Sequence, residues 1–485
     1  MSKRKILVRG KDFLLFMIGV FASVFVLLMN RHEFNKLSFI LPLVFSACYL
    51  FLLAPVRNRT KSKTVFWFAI AETLRLVFVP CFEAVSSYVG FYGFSTQDSS
   101  LLNRAVLLMA YECVFVSVFL VFATRNMDSR EHEDLGDNIA PLGRDRVGLA
   151  IIVIIGIIIF FAVPEVRKNI NFFLLESNSE KVRALTAGSH SSLVTGLIAL
   201  TYDAFLCLFI LVLDWAKNRF VDSEKKGYVF LAVVMGLLTV SVINGESRST
   251  LVYTLYAVVI CLRGSFRQYA KFITRVLVIA GVLVLVGMTT YRLFSVYKYG
   301  SYQEAVVGGS LRDNYFPAFV EMYFLGPQSV ACGLKFCEEM SSQFSIATFL
   351  YDIFRPFMGL NFIAERFGGK TSIMMFNSWF SGVQGKSNGI FLQITNQGYD
   401  YFGFIFAPVF TCFFYWISVW IEKKLATVKS LFIAFFLNMI LIRTSTCVVG
   451  GTMSGYITQI TMIMLICGAL YLGQKAVAST LNRRL

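Results

Sequence analysis

Apolar runs of roughly 17–22 residues recur along most of the chain, and that recurrence leaves few architectures open. A run of that length, folded as a helix, crosses a hydrocarbon core of about 30 Å and satisfies its own backbone hydrogen bonds. Runs near 13–29, 37–54, 65–82, 104–123, 147–164, 191–213, 228–243, 250–262, 274–290, 402–421, 430–447 and 456–473 predict an all-α polytopic membrane protein with about 12 transmembrane helices. The eighth run is short and suits a tilted or bundle-buried helix. Composition agrees, with 56% of the 485 residues hydrophobic and 15% charged.

Orientation follows from the placement of Lys and Arg, which resist transfer across the membrane. With the N-terminus inside, alternate connections carry Lys3, Arg4, Lys5, Arg9 and Lys11, then Arg57, Arg59, Lys61 and Lys63. Further inward sets are Arg125–Arg146, Lys217–Lys226, Arg263–Arg275, Lys423–Lys429, and Lys475 with Arg483 and Arg484. These segments hold most of the 45 Lys and Arg and account for the net charge of +16. The basic balance therefore reads as cytoplasmic loops beside anionic lipid and gives no support to nucleic-acid binding. Both termini are expected to be cytoplasmic. Lys3 to Lys11 ahead of an apolar run mimics a secretory signal. Asn30, Arg31 and His32 follow where small residues would mark cleavage, so an uncleaved first span is expected.

Between the ninth and tenth runs the pattern breaks. The chain divides into a membrane part, 1–290, an insertion, 291–401, and a second membrane part with its tail, 402–485. The insertion is balanced in charge, rich in aromatics and outward by the charge bias. Residues 314–325 and 343–354 have helical spacing with one apolar face and are expected to lie flat at the interface. Gly368-Gly369 and Ser381–Gly389 read as flexible connections. The loop Pro164–His190 is a second, smaller outward flap. A transporter needs no roof of this size, whereas an enzyme acting on a lipid-linked substrate outside the cytoplasm does.

Several chemistries are disfavoured. The ten cysteines lie mostly inside the runs, as apolar packers. Cys332 and Cys337, five apart in the insertion, are a disulfide candidate in an oxidising compartment. There is no C-x-x-C pair and only three histidines occur (His32, His132, His190), so neither a zinc site nor another cofactor is expected. P-loop, G-x-S-x-G and dinucleotide glycine patterns are absent, which excludes a nucleotide-driven pump.

Charges inside spans need a reason, because their desolvation is costly. Glu72 and Arg75, three apart in the third run, read as a structural ion pair. Glu112, Asp203 and Arg443 are single charges for which buried interhelical partners are expected. Arg248 is different. It lies in the hairpin Asn244-Gly245-Glu246-Ser247-Arg248-Ser249, on the outward side, where it opposes the charge bias. Its planar guanidinium can grip phosphate oxygens bidentately, or it can pair with Glu246. Arg292 leaves the ninth run at the same level, and Arg312 follows in Ser310-Leu311-Arg312-Asp313-Asn314-Tyr315. Three arginines from separate segments suit an anionic clamp, with Arg355 and Arg366 as further candidates for substrate contact.

Over Val229–Gly468, about half the chain, this pattern resembles the bacterial O-antigen and oligosaccharide repeat-unit polymerases (Wzy type), relatives of the O-antigen ligases. The resemblance rests on Ser247-Arg248-Ser249-Thr250-Leu251, on Arg292, and on Arg312-Asp313-Asn314-Tyr315. It is completed by Ser387-Asn388-Gly389-Ile390-Phe391-Leu392-Gln393 running into Gly398-Tyr399-Asp400-Tyr401-Phe402-Gly403. Order and spacing carry it more than any one motif. The ligases have a histidine before the asparagine of that last pattern. Here Ser387 stands there, which favours polymerase over ligase and leaves the base unassigned.

The resemblance implies a fold like that of the C-type glycosyltransferases and a metal-independent transfer on the outer face of the bacterial cytoplasmic membrane. The donor would be a glycan on polyprenyl pyrophosphate and the acceptor a repeat unit on the same carrier, with a chain-length regulator protein as a further candidate partner. A pyrophosphate on carbon is already activated, so the remaining work is alignment and charge stabilisation on the leaving group. Arg248, Arg292 and Arg312 are the expected clamp. Asp400 is the first candidate base, with a helix cap as its competing role, followed by Glu321 and Asp313. Asn388, Glu321, Arg355 and Arg366 are expected to contact substrate. A lipid-linked oligosaccharide flippase and an O-antigen ligase are the alternatives.

Overall fold

A computed structural model of the chain describes residues 9–86, 89–91, 94–127, 142, 145–172, 192–244, 248–295, 320–321, 323–357, 360, 366, 369–384, 392–450 and 452–482. The long apolar runs fold as helices: α1 (Gly10–Met29), α2 (Glu33–Thr60), α3 (Lys63–Val85), α4 (Ser99–Ala123) and α5 (Asp145–Ala162). A short α6 (Pro164–Asn169) and strand β1 (Ile170–Phe172) come next. Then follow α7 (Ser192–Ser223), α8 (Lys226–Ser241), strand β2 (Val242–Asn244), α9 (Arg248–Ser265) and α10 (Ala270–Ser295). The insertion contributes α11 (Pro327–Met340), α12 (Ile346–Phe354) and α13 (Ser372–Gln384). The chain continues through α14 (Ile394–Phe406), α15 (Val409–Leu425), α16 (Leu431–Ser445) and α17 (Met453–Asn482).

The result is an almost wholly helical protein. Among the described residues, six helices are long and apolar enough to cross a membrane, α1 to α5 and α7, or seven if the bent pair α14–α15 is one span. The apolar stretches of α8, α9, α16 and α17 are shorter than that standard. The tenth apolar run is not one straight helix: its axis turns by 105° between α14 and α15. Two residues make the corner. Gly403 has φ +71° and ψ −174°, a conformation open essentially to glycine alone. Gly398 lets the chain fold back so tightly that a Cβ there would lie 2.0 Å from the Ala407 carbonyl oxygen.

Contacts gather the basic connections at one end of the bundle. Asp12 at the start of α1 accepts from Tyr49 Oη (3.0 Å) and Asn58 Nδ2 (2.6 Å) near the end of α2. Arg59 donates to the Arg125 carbonyl at 3.5 Å. Glu422 at the end of α15 accepts from Ser62 Oγ (2.7 Å) and from the backbone N–H groups of Lys63 and Thr64, capping α3. At the opposite end β1 pairs antiparallel with β2, Ile170 opposite Asn244, which brings the start of the smaller flap beside the Arg248 hairpin.

The core has two parts. One joins α5, α7, α8, α9 and α10 around Leu206, Phe209, Val258 and Leu262. The other joins α2, α3, α4 and the first half of α11 around Phe68, Leu108 and Ala331. Helices α15, α16 and α17 contribute to both or lie between them. A smaller aromatic cluster packs Phe336, Phe376 and Phe380 of the insertion against Phe91 of the α3–α4 connection.

Candidate functional site

Helix α11 packs along α4. Near the start of α4, Arg104 pairs with Glu338 of α11 and donates to Tyr399 Oη at 3.0 Å. The other end of α11 lies deep. Glu112 is thirteen residues into α4, about 20 Å along the axis, and there the chain before α11 meets the bundle's buried charges.

Arg75 organises that level. It sits in a π-helical turn of α3, Thr73–Phe78, the kind of local widening that re-aims a side chain. Its Nη1 meets Glu112 Oε2 at 2.7 Å and Glu72 Oε1 at 3.8 Å. Nε donates to the Leu325 carbonyl (3.1 Å) and Nη2 to Gln393 Oε1 (3.1 Å). Gln393 Nε2 in turn reaches Ser329 Oγ (2.7 Å), and Glu112 Oε1 accepts from Thr411 Oγ1 (2.7 Å) and from Thr395 Oγ1. One guanidinium thus ties two segments of the insertion, at Leu325 and Gln393, to α3 and α4. The partner read for Arg75 from spacing, Glu72, is the more distant of its two carboxylates.

Helix α14 spreads the connection outward. Asn396 Nδ2 donates to the Val330 carbonyl (3.1 Å), and Gln397 Nε2 to Ser372 Oγ (2.9 Å). Gln397 Oε1 accepts from Met453 N (3.1 Å), and Tyr401 Oη donates to Asp352 Oδ2 (2.6 Å). Asp352 also accepts from Ser372 N (2.9 Å); burial holds its carboxyl above the ordinary carboxylate range against those bonds.

The residues expected from sequence fall in different places. Asp400 is half-buried in α14, with its carboxyl against the Cys337 thiol. Cys332 and Cys337 are both free and buried; five apart on α11, they project about 140° from each other and do not meet. Glu321 is fully buried, accepts from Ser329 N (2.7 Å) and lies against the Glu83 carboxyl, burial raising its own. Arg355 ends α12, over the Tyr351 ring at 5.6 Å and with Nη1 2.7 Å from Met374 Sδ. Arg366 is exposed. Of the helices expected in the insertion, 343–354 appears as α12 behind a Ser345 cap, while 314–319 lies outside the described residues.

Arg248 opens α9, and Arg292 belongs to the last turns of α10; their side chains, like all of Arg312 and Asn388, lie outside the described part. The two helices pack side by side as a hairpin. A Cβ at Gly281 would come 2.4 Å from Leu255 Cδ2, a register that sets Arg248 opposite Met288. The backbone of Arg292 is then one turn, about 6 Å, further along the axis. Arg443, near the same end of α16, has Cζ 5.7 Å from the Tyr253 ring of α9 and 5.2 Å from the Tyr456 ring of α17. Spacing alone could not anticipate Arg443's ring partners, nor the roles of Glu83, Gln393, Thr395 and Thr411, which are ordinary residues until the chain folds.

Among the described residues no group of three His, Cys, Asp or Glu could hold a metal ion. Comparison with family models, with curated proteins and with solved structures finds no match.

Proposed function

We propose that this chain is a polysaccharide repeat-unit polymerase. It would span the cytoplasmic membrane about twelve times with both termini inside, and transfer a glycan from one polyprenyl pyrophosphate to a repeat unit on another. The observation that supports this most is the α9–α10 hairpin, which sets Arg248 and Arg292 at one end of the bundle a single turn apart. That end is outward by the charge bias, and the insertion leaves the membrane part there. Guanidinium groups suit the task, because a leaving pyrophosphate needs its charge held and its two lipids aligned. Arg312 completes the clamp in this reading, and Arg355 and Arg366 supply outer contacts.

The test is the glycan ladder. Arg248→Ala should leave the protein in the membrane and the glycans stuck at one repeat, and Arg248→Lys should rescue poorly because Lys lacks the planar fork. Full-length polymer from the Ala variant would overturn the clamp. A flippase is the second reading, favoured by the buried Glu72–Arg75–Glu112 group and the bent α14–α15 pair, both at home in transporters. Deletion of the chain separates the readings. Polymerase loss yields single-repeat glycans on the final acceptor, flippase loss traps the repeat inside, and ligase loss strands polymer on the carrier.

A further inference from the structure

Two carboxyl groups meet where the last turn of α3 faces the insertion. Glu83 is 2% exposed and Glu321 is 0% exposed. Asn35 Nδ2, near the start of α2, donates to Glu83 Oε2 at 3.1 Å, and Ser329 N donates to Glu321 Oε1 at 2.7 Å. The remaining oxygens, Glu83 Oε1 and Glu321 Oε2, accept from no N–H or O–H of a described neighbour. The two carboxyl groups instead lie against each other. Two carboxylates are acceptors only, so a pair in contact can bond only with a proton between them. In a dry site the alternative is two adjacent negative charges, which is strongly disfavoured.

We propose that Glu83 and Glu321 form a proton-binding site, and that its single proton latches the insertion onto α3. The surroundings support a latch. Glu321 and Ser329 bracket Leu325, whose carbonyl accepts from Arg75, so the latch and the Arg75 group hold the same short segment. Arg75 is the charged group facing Glu321 from α3, but its 2.7 Å contact commits it to Glu112. From α2 the facing groups are Asn35 and, beyond it, His32, whose Nε2 lies 2.8 Å from the Ser86 carbonyl. From α11 they are the backbone N–H groups of Gln328 and Ser329. Among the described residues none of these forms an ion pair with a second negative charge at the site. Loss of the proton therefore drives Glu321 and its segment away from α3 and loosens the start of α11.

The inference stands on the buried pair and does not depend on the polymerase reading. Cys332 and Cys337 report it, being 0% and 5% exposed on α11. The membrane-embedded protein is treated with a maleimide at about pH 6 and about pH 9, and labelling is measured cysteine by cysteine by mass spectrometry. Cys48 and Cys113, buried between α2 and α4, serve as controls, and each rate is divided by that of free cysteine at the same pH. The expected result is a several-fold faster normalised rate at Cys332 and Cys337 at the higher pH, with the controls unchanged. Glu321→Gln and Glu83→Gln each keep a hydrogen-bond donor without the titration and should flatten that response. Equal rates at both pH values in the unaltered protein, acceleration of the controls in parallel, or a response that survives both substitutions would each overturn the proposal.

Discussion

At the scale of single residues, the buried charges behave as a connected set. Arg75 has a partner on each side of its guanidinium, and all of them lose water together. Removing it strands Glu112, whose carboxylate would be left with hydroxyl donors alone. Arg75→Ala is therefore expected to destabilise the protein by about 3–5 kcal/mol. Replacing Arg75, Glu72 and Glu112 together by Met, Leu and Leu should cost much less, because no uncompensated charge remains. Thermal unfolding of detergent-solubilised protein reads both variants, and equal losses would refute the pairing. Glu72 and Arg75 were legible as neighbours from their spacing. That Glu112 is the closer partner was not, because helix-to-helix distance is set by packing and by the π-helical turn at Thr73–Phe78.

At the scale of elements, the corner between α14 and α15 carries the greatest consequence. The apolar run 402–421 has the composition of a straight span, and composition alone gives no sign of a 105° turn. Gly398 and Gly403 permit that turn for different reasons, and the two can be separated. At Gly403 nothing lies within 4 Å of an added Cβ, so the cost is one of backbone conformation. Gly403→Ala and Gly403→Ser should each lose about 1–3 kcal/mol, and by the same amount. At Gly398 the obstacle is the Ala407 carbonyl oxygen, which cannot swing aside, so Gly398→Ala should be the more damaging. Thermal shifts of the three variants check the order. The closing motif Gly398–Gly403 was visible as a pattern, but its work as a hub came only from the partners that α14 meets.

At the scale of the whole molecule, the basic loops collect at one end and the insertion at the other. This arrangement predicts labelling from opposite sides. Exposed Ser342 lies on the insertion, while exposed Glu224 and Thr427 lie in basic connections. With a membrane-impermeant maleimide, Ser342→Cys should react in cells whose outer barrier is opened but whose cytoplasmic membrane is intact. Glu224→Cys and Thr427→Cys should react only after that membrane is permeabilised. The reverse pattern would invert the orientation taken from Lys and Arg.

The amino-acid order alone determined the helical class, the alternation of basic and neutral connections, and the position of the long polar break. Each follows from local rules of hydropathy and charge that act along the chain. Tertiary structure decided which charges share a buried site, that α11 dips beside α4, and that Glu321 faces Glu83. Those depend on contacts between residues far apart in the chain, where burial turns a modest polar side chain into one that must find a partner.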